Sequence, residues 1–211
     1  MTTNTPTRKR NFSSFSKKEA FKQLGLTDLL PWTIEAAPIP PSSFFQEHFK
    51  RLQQHFDLES TEESKKLLID AIASEALEGI ERVKLWKSAP LEGEMTCGIA
   101  DYLGAERKRY LEAPFLCIIE AKKDDFEQGM AQCLVEMQAC QWENQCLGLM
   151  PEIYGIVTNG SGWMFYRLVP SGEVYETLLY SIHDLATLIG ALHEVFRQCE
   201  RNLDYPSKVS A

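Results

Sequence analysis

The stretch Pro114 to Ala121, PFLCIIEA, constrains the fold of this chain more than any other. A nearly continuous apolar run of strand length fits a central strand buried on both faces. Its ending is the unusual part. Glu120-Ala121-Lys122-Lys123 sets charge directly on the end of a segment that otherwise belongs in a core. Residues two apart on a strand point to the same face, so Glu120 and Lys122 project together. Two explanations compete: a functional site at the strand end, or a strand leaving the core into a solvated turn at Lys122-Lys123-Asp124-Asp125.

The flanking segments have clear periods. Ser60 or Thr61 opens a helix with Glu62 and Glu63 in its first turn, where the helix dipole favours acids. Leu68, Ile72, Ala76 and Ile80 recur every four residues and predict a buried stripe on a helix ending near Arg82. The period then shortens. Val83, Leu85 and Trp86 suggest one strand, and Glu94 to Tyr102, with Met95, Cys97 and Ile99 alternating, a second. Phe126 to Asn144 has no proline and one glycine and predicts a long helix. Tyr154 to Thr158 and Trp163 to Val169 predict strands joined by the turn Asn159-Gly160-Ser161-Gly162. Val174 to Tyr180 adds a strand, and His183 to Cys199 predicts a closing helix with Leu185, Leu188, Ile189, Leu192 and Phe196 on one face.

The expected fold class is α/β: a mixed sheet flanked by helices in the order α-β-β-β-α-β. Residues 1–16 predict a disordered basic tail. Residues 17–57 predict a helical appendage around a proline-rich connector at 31–42, with one helix from Lys17 to Leu24, ended by Gly25, and one from Ser42 or Ser43 to about Phe56. That leaves 58–204 as the main domain.

A net charge of −8 opposes tight nonspecific binding of nucleic acid by the whole surface. The charge is unevenly spread. Residues 1–23 carry +5, from Arg8, Lys9, Arg10, Lys17, Lys18 and Lys22 against Glu19, which leaves −13 for the rest. Arg107-Lys108-Arg109 forms a second cluster. Either group can touch phosphates or simply be solvated. No apolar run approaches the ~20 residues a membrane span needs, so no membrane association is expected. The polar first ten residues lack the apolar stretch of a secretory signal, so a cytoplasmic location is expected. The six cysteines include no C-x-x-C pair, which predicts reduced, buried thiols. The four histidines show no zinc-finger spacing with them. His48 and His55 are read as solvated or partly packed, and Trp86, Trp142 and Trp163 as core residues rather than base-stacking platforms.

Phosphodiester hydrolysis needs an activated water and relief of negative charge, which Mg²⁺ or Mn²⁺ supplies when hard oxygen ligands hold it. The pattern GIAD ending at Asp101, followed by APFLCIIEAKKDD with Glu120 and Lys122, resembles the PD-(D/E)XK nuclease superfamily. Ala100 stands where the superfamily's motif name has proline. The later GIVTNGSGWMFYRL is similar to the strand-turn-strand of the N-terminal nuclease region of type I restriction R subunits. The stretch from about Leu58 to Val169 is also similar to small restriction-endonuclease-like proteins of bacteria.

The resemblance implies a restriction-endonuclease-like core and a metal site. Asp101, Glu120 and the Ala121 carbonyl would bind Mg²⁺ or Mn²⁺. Lys122 would orient the attacking water, help deprotonate it, or stabilise charge on phosphorus. Gln132, on the helix after E-x-K, would contact the metal site or the phosphate, with Glu136 where a tyrosine sometimes follows. A further acid is expected from the first helix. Glu75, Glu78 and Glu81 are available, and Glu75 is chosen because it lies beside the apolar stripe, three residues after Ile72. The expected activity is Mg²⁺-dependent cleavage of DNA, by a chain for which a homodimer is also implied. The alternative is a catalytically inactive module of this fold that binds nucleic acid or a protein partner.

Overall fold

A computed structural model describes residues 9–122 and 125–204. Along the chain the elements are β1 (Arg10–Asn11), α1 (Lys17–Leu24), β2 (Leu30–Pro31), α2 (Ser43–His55), α3 (Glu62–Ala76), β3 (Val83–Glu92), β4 (Thr96–Glu106) and β5 (Phe115–Ala121). They continue as α4 (Phe126–Cys146), β6 (Ile153–Thr158), β7 (Gly162–Leu168), β8 (Val174–Glu176), β9 (Tyr180–Ser181) and α5 (Leu185–Asn202). The protein is α/β, with one mixed sheet of nine strands flanked by helices.

All seven residues of β5 are buried, as its apolar sequence requires. β3, β4 and β5 form an antiparallel meander, with β3 on the outer side of β4. α4 then carries the chain across one face so that β6 pairs parallel to β5. A parallel neighbour demands such a crossover, because a tight turn can only reverse the chain. β7 returns antiparallel through the turn after Thr158, where Asn159 Oδ1 accepts the N–H groups of Ser161 and Gly162.

The sheet divides the apolar residues into two layers. On one face Leu68, Ile72 and Ala76 of α3 pack with Leu188, Ile189, Leu192 and Phe196 of α5 over Cys117 and Ile119, and α2 adds Phe45 and Leu52. On the other face α4, through Met130, Cys133, Leu134, Met137 and Cys140, packs on Ile118, Val157 and Tyr166, together with Phe12, Phe15 and Ala20. Cys117, Cys133, Cys140 and Cys199 are buried free thiols, and Trp163 is fully buried.

Several expectations need correction. Only residues 1–8 of the expected tail lie outside the described residues. From Arg10 onward the segment pairs with β4 and buries Phe12 and Phe15, two aromatic anchors that outweigh the polar composition around them. α2, which lies before the expected boundary at 57/58, shares the α3–α5 core. α3 stops at Ala76 rather than near Arg82. Gly79, with φ of 80°, turns the chain, although Ile80 still joins the core. β4 runs on to Glu106, past the expected end at Tyr102, because β3 pairs with it through Val83↔Glu106. The strand expected over Val174 to Tyr180 splits into β8 and β9 around the exposed Leu178 and Leu179. No helix among the described residues is long and apolar enough to cross a membrane.

Candidate active site

Two strands and two helices converge at the C-terminal end of β5. Glu120 and Lys122 leave that strand on the side of Ile118, facing α4. Lys122 Nζ lies 2.7 Å from Glu120 Oε1 and donates to Gln132 Oε1 at 3.1 Å. Gln132 Nε2 in turn donates to Glu136 Oε1 at 3.0 Å, one turn further along α4. The helix comes this close because Gly129 has no side chain. A Cβ there would meet Val157 Cγ1 at 2.7 Å and Lys122 Cγ at 2.8 Å. Glycine inside a helix costs about 1 kcal/mol relative to alanine, and this approach is its physical reason here.

Asp101 comes from the middle of β4, not from its end. The β4–β5 ladder includes Tyr102↔Ile119, and one further step in the same register sets Asp101 opposite Glu120. Asp101 Oδ2 accepts the Ala121 N–H at 2.9 Å. On the other flank, β3–β4 pairing reaches Lys87↔Tyr102 and resumes at Ala89↔Ala100, skipping Ser88 and Asp101. Ser88 has φ of 49° and is the one non-glycine residue with positive φ among those described. A left-handed residue costs roughly 1–2 kcal/mol. The irregularity releases Asp101 from the β3 side, so its carboxylate can turn toward β5.

α3 completes the cluster. Lys66 Nζ lies 2.9 Å from Asp101 Oδ1, 3.3 Å from Glu63 Oε2 and 3.8 Å from Glu62 Oε1. The charge of Glu62 is felt by both Glu120 and Lys122.

The electrostatics follow from burial. Glu120 is 1% exposed, and desolvation, reinforced by the charge of Asp101, pushes its carboxyl up to about 7 against the pull of Lys122. Glu136 is fully buried and is pushed well above the carboxylate range by desolvation and by the Glu120 charge. Burial works against the charge on Lys122, but the Glu120 carboxylate outweighs it and the ammonium is held above its ordinary range. Lys66 behaves the same way: burial opposes its charge, and Asp101 with Glu63 more than offsets that. Glu120 Oε2 and Glu136 Oε2 are buried without a hydrogen-bond partner among the described residues.

Of the residues expected at the site, Asp101, Glu120, Ala121, Lys122 and Gln132 come together. Glu75 does not. Its carboxylate accepts the Ser42 N–H at 2.5 Å and the Ser42 hydroxyl at 3.0 Å, tying α3 to the start of α2. The apolar stripe it borders is turned to α5, and the acids that face the site lie at the other end of the helix. In the sequence Glu62 and Glu63 have only a dipole role and Glu136 only a position after Gln132, and nothing signals Lys66. The two acids have an ordinary explanation in the helix dipole, and Lys66 resembles any solvated helix lysine. Only the spacing of Glu136 from Gln132 hinted at a role.

The donors gathered here are two carboxylates, with the Ala121 carbonyl on the same strand end. Among the described residues no group of three or more His, Cys, Asp and Glu side chains gathers to hold a metal ion. Hard oxygen donors, one of them unpartnered, suit Mg²⁺ or Mn²⁺, since Mg²⁺ keeps several waters and is held through one or two carboxylates. They do not suit Zn²⁺, which favours His and Cys. Compared with protein-family models, with curated proteins and with solved structures, the chain has no significant match in any of the three.

Proposed function

We propose that this chain is a divalent-metal-dependent nuclease, with DNA as its substrate, built on a restriction-endonuclease-like core. The observation that carries the reading is that Asp101, Glu120 and Lys122 come together at the end of β5, where Glu120 Oε2 is buried without a partner among the described residues. A purely structural ion pair has every reason to satisfy both oxygens, because a buried unpaired acceptor costs about 1–3 kcal/mol. The order α3-β3-β4-β5-α4-β6 supports the same reading. So does an open cleft of about 610 Å³ between α3 and β3, which begins at Tyr102 and carries Lys84, Lys87 and Arg107 as well as Asp70. Three cations face one acid in this cleft, with Lys87 paired to Asp70 at 2.7 Å.

Asp101, Glu120 and the Ala121 carbonyl would hold Mg²⁺ or Mn²⁺, which supplies Lewis-acid charge and a water of lowered pKa. Lys122 is held as an ammonium and aimed by Gln132. That state suits orienting water or stabilising charge on phosphorus, and does not suit taking a proton from water. Gln132 holds Lys122 through its side-chain oxygen, and Glu136, its carboxyl pushed up by desolvation, accepts from the Gln132 amide behind it.

The test is cleavage of labelled single-stranded and duplex DNA with Mg²⁺, with Mn²⁺ and with a chelator. Wild type cuts only with metal, and Lys122→Ala does not cut. Wild type that cuts no DNA with either metal overturns the proposal. A second reading, a catalytically inactive binding module, is favoured by one observation: both Asp101 oxygens already have partners. Calorimetric titration with Mn²⁺ separates the two. A heat that disappears in Glu120→Ala supports the nuclease, and a silent wild type supports the module.

A further inference from the structure

Three of the four carboxylate oxygens at the site are occupied. Asp101 Oδ2 accepts the Ala121 N–H, Glu120 Oε1 faces Lys122, and Asp101 Oδ1 faces Lys66. The two lysines are held differently. Lys122 is tied to Glu120 and, through Gln132, to α4, so its partners among the described residues lie within the site. Lys66 lies between Asp101 on one side and Glu62 and Glu63 on the other. These acids precede it by four and three residues on α3, the spacing at which helix side chains are neighbours. Its side chain is only 14% exposed, which keeps it among these three acceptors rather than in bulk water.

A divalent ion at Asp101 and Glu120 would meet an ammonium already on Asp101. Two cations on one carboxylate repel, and the effect is strong where water is scarce. Lys66 has a flexible four-carbon stem and alternative acids within reach, so it is the group that can yield. We propose that Lys66 gates cation access to this site. It neutralises Asp101 while no divalent ion is bound, and it passes to Glu62 and Glu63 when one arrives. Glu62 and Glu63 are then the receiving station of a lysine switch, in addition to being dipole partners of α3. This inference rests on the metal-site reading above and adds a residue that the motif does not contain.

The experiment is calorimetric titration of the full chain with Mn²⁺, free of any activity readout. Wild type, Lys66→Met, Lys66→Gln, Glu62→Gln/Glu63→Gln and the combined Lys66→Met/Glu62→Gln/Glu63→Gln are compared, each checked for a native melting transition. Removing the competing ammonium should tighten binding about tenfold, within the usual range of coupling between two ligands. Lys66→Gln serves if Lys66→Met fails to fold. Removing the two receiving acids should weaken binding in the wild-type background and leave it nearly unchanged in the Lys66→Met background. Measurable binding that is equal or weaker in folded Lys66 variants overturns the gate and leaves the metal site standing. Equal weakening by the double Gln change in both backgrounds also overturns it, because Glu62 and Glu63 would then act on the ion directly. No heat in any of the proteins overturns the metal reading and the gate together.

Discussion

The two ends of β5 both carry buried polar side chains from or against α4, and they treat them in opposite ways. At the start of the strand, Asn144 donates from Nδ2 to the Phe115 carbonyl at 2.7 Å, and its Oδ1 accepts the Phe115 N–H at 2.8 Å. It is fully buried and bonds both backbone groups of one residue. At the other end, Glu120 and Glu136 are as deeply buried, yet each keeps one oxygen without a partner. Buried polar groups in native proteins are nearly always paired. The first end therefore reads as architecture, since Asn144 bonds both backbone groups of Phe115, which precedes the first β5–β6 pair at Cys117↔Tyr154. The second end leaves two buried oxygens unpaired among the described residues, an arrangement that costs stability unless something else supplies the partner.

The contrast can be broken experimentally. The largest effect is expected from Lys122→Ala. Cleavage should fall by about 10²–10⁴-fold, the usual range for a positioned proton-transfer or charge-stabilising group, while circular dichroism stays native. A variant that retains full rate would return the end of β5 to a purely structural role.

Next comes pH. Glu120 is raised to about 7 in the fold from an ordinary 4.5, so its contribution to stability is complete below about 4.5 and is lost as pH rises through 7. Glu120→Gln cannot ionise. In chelated buffer it should gain on the wild type between pH 5 and 8, by on the order of 3 kcal/mol at the upper end. Denaturant melts across that interval measure it. A constant difference between the two proteins would show that Glu120 is not the strained group.

Asn144→Ala should cost about 2 kcal/mol by leaving two buried backbone groups unpaired, with Mn²⁺ binding unchanged. Loss of metal binding there would mean that the two ends are coupled. The smallest effect is expected at Ser88. Ser88→Gly relieves the left-handed strain and should stabilise by under about 1 kcal/mol net, because glycine also gains freedom in the unfolded chain. If metal affinity falls instead, the strained turn is what aims Asp101.

Much of the fold was legible because its signals are local. The stripe Leu68, Ile72, Ala76 and Ile80 is buried, the apolar run around Ile118 is the central strand, and Asn159 to Gly162 makes a hairpin turn. What misled were segments in which a few long-range contacts override average composition. Phe12 and Phe15 order a polar N-terminal stretch, and Gly104 and Ala105 extend a strand whose small residues carry little alternation. The charged end of β5 was legible for the same reason as the strand: residues two apart share a face whatever the rest of the chain does.

Strand periodicity alone therefore determined that Glu120 and Lys122 emerge side by side from a buried strand. It could not decide which helix residues meet them. That depends on how α3 is rotated and slid over the sheet by its packing with α2 and α5, and this packing turns Glu75 to Ser42 and presents Glu62, Glu63 and Lys66 to the site. Nor could it decide that Asp101 bends inward. That follows from the missing Ser88–Asp101 pair, a property of two strands together that neither sequence displays by itself.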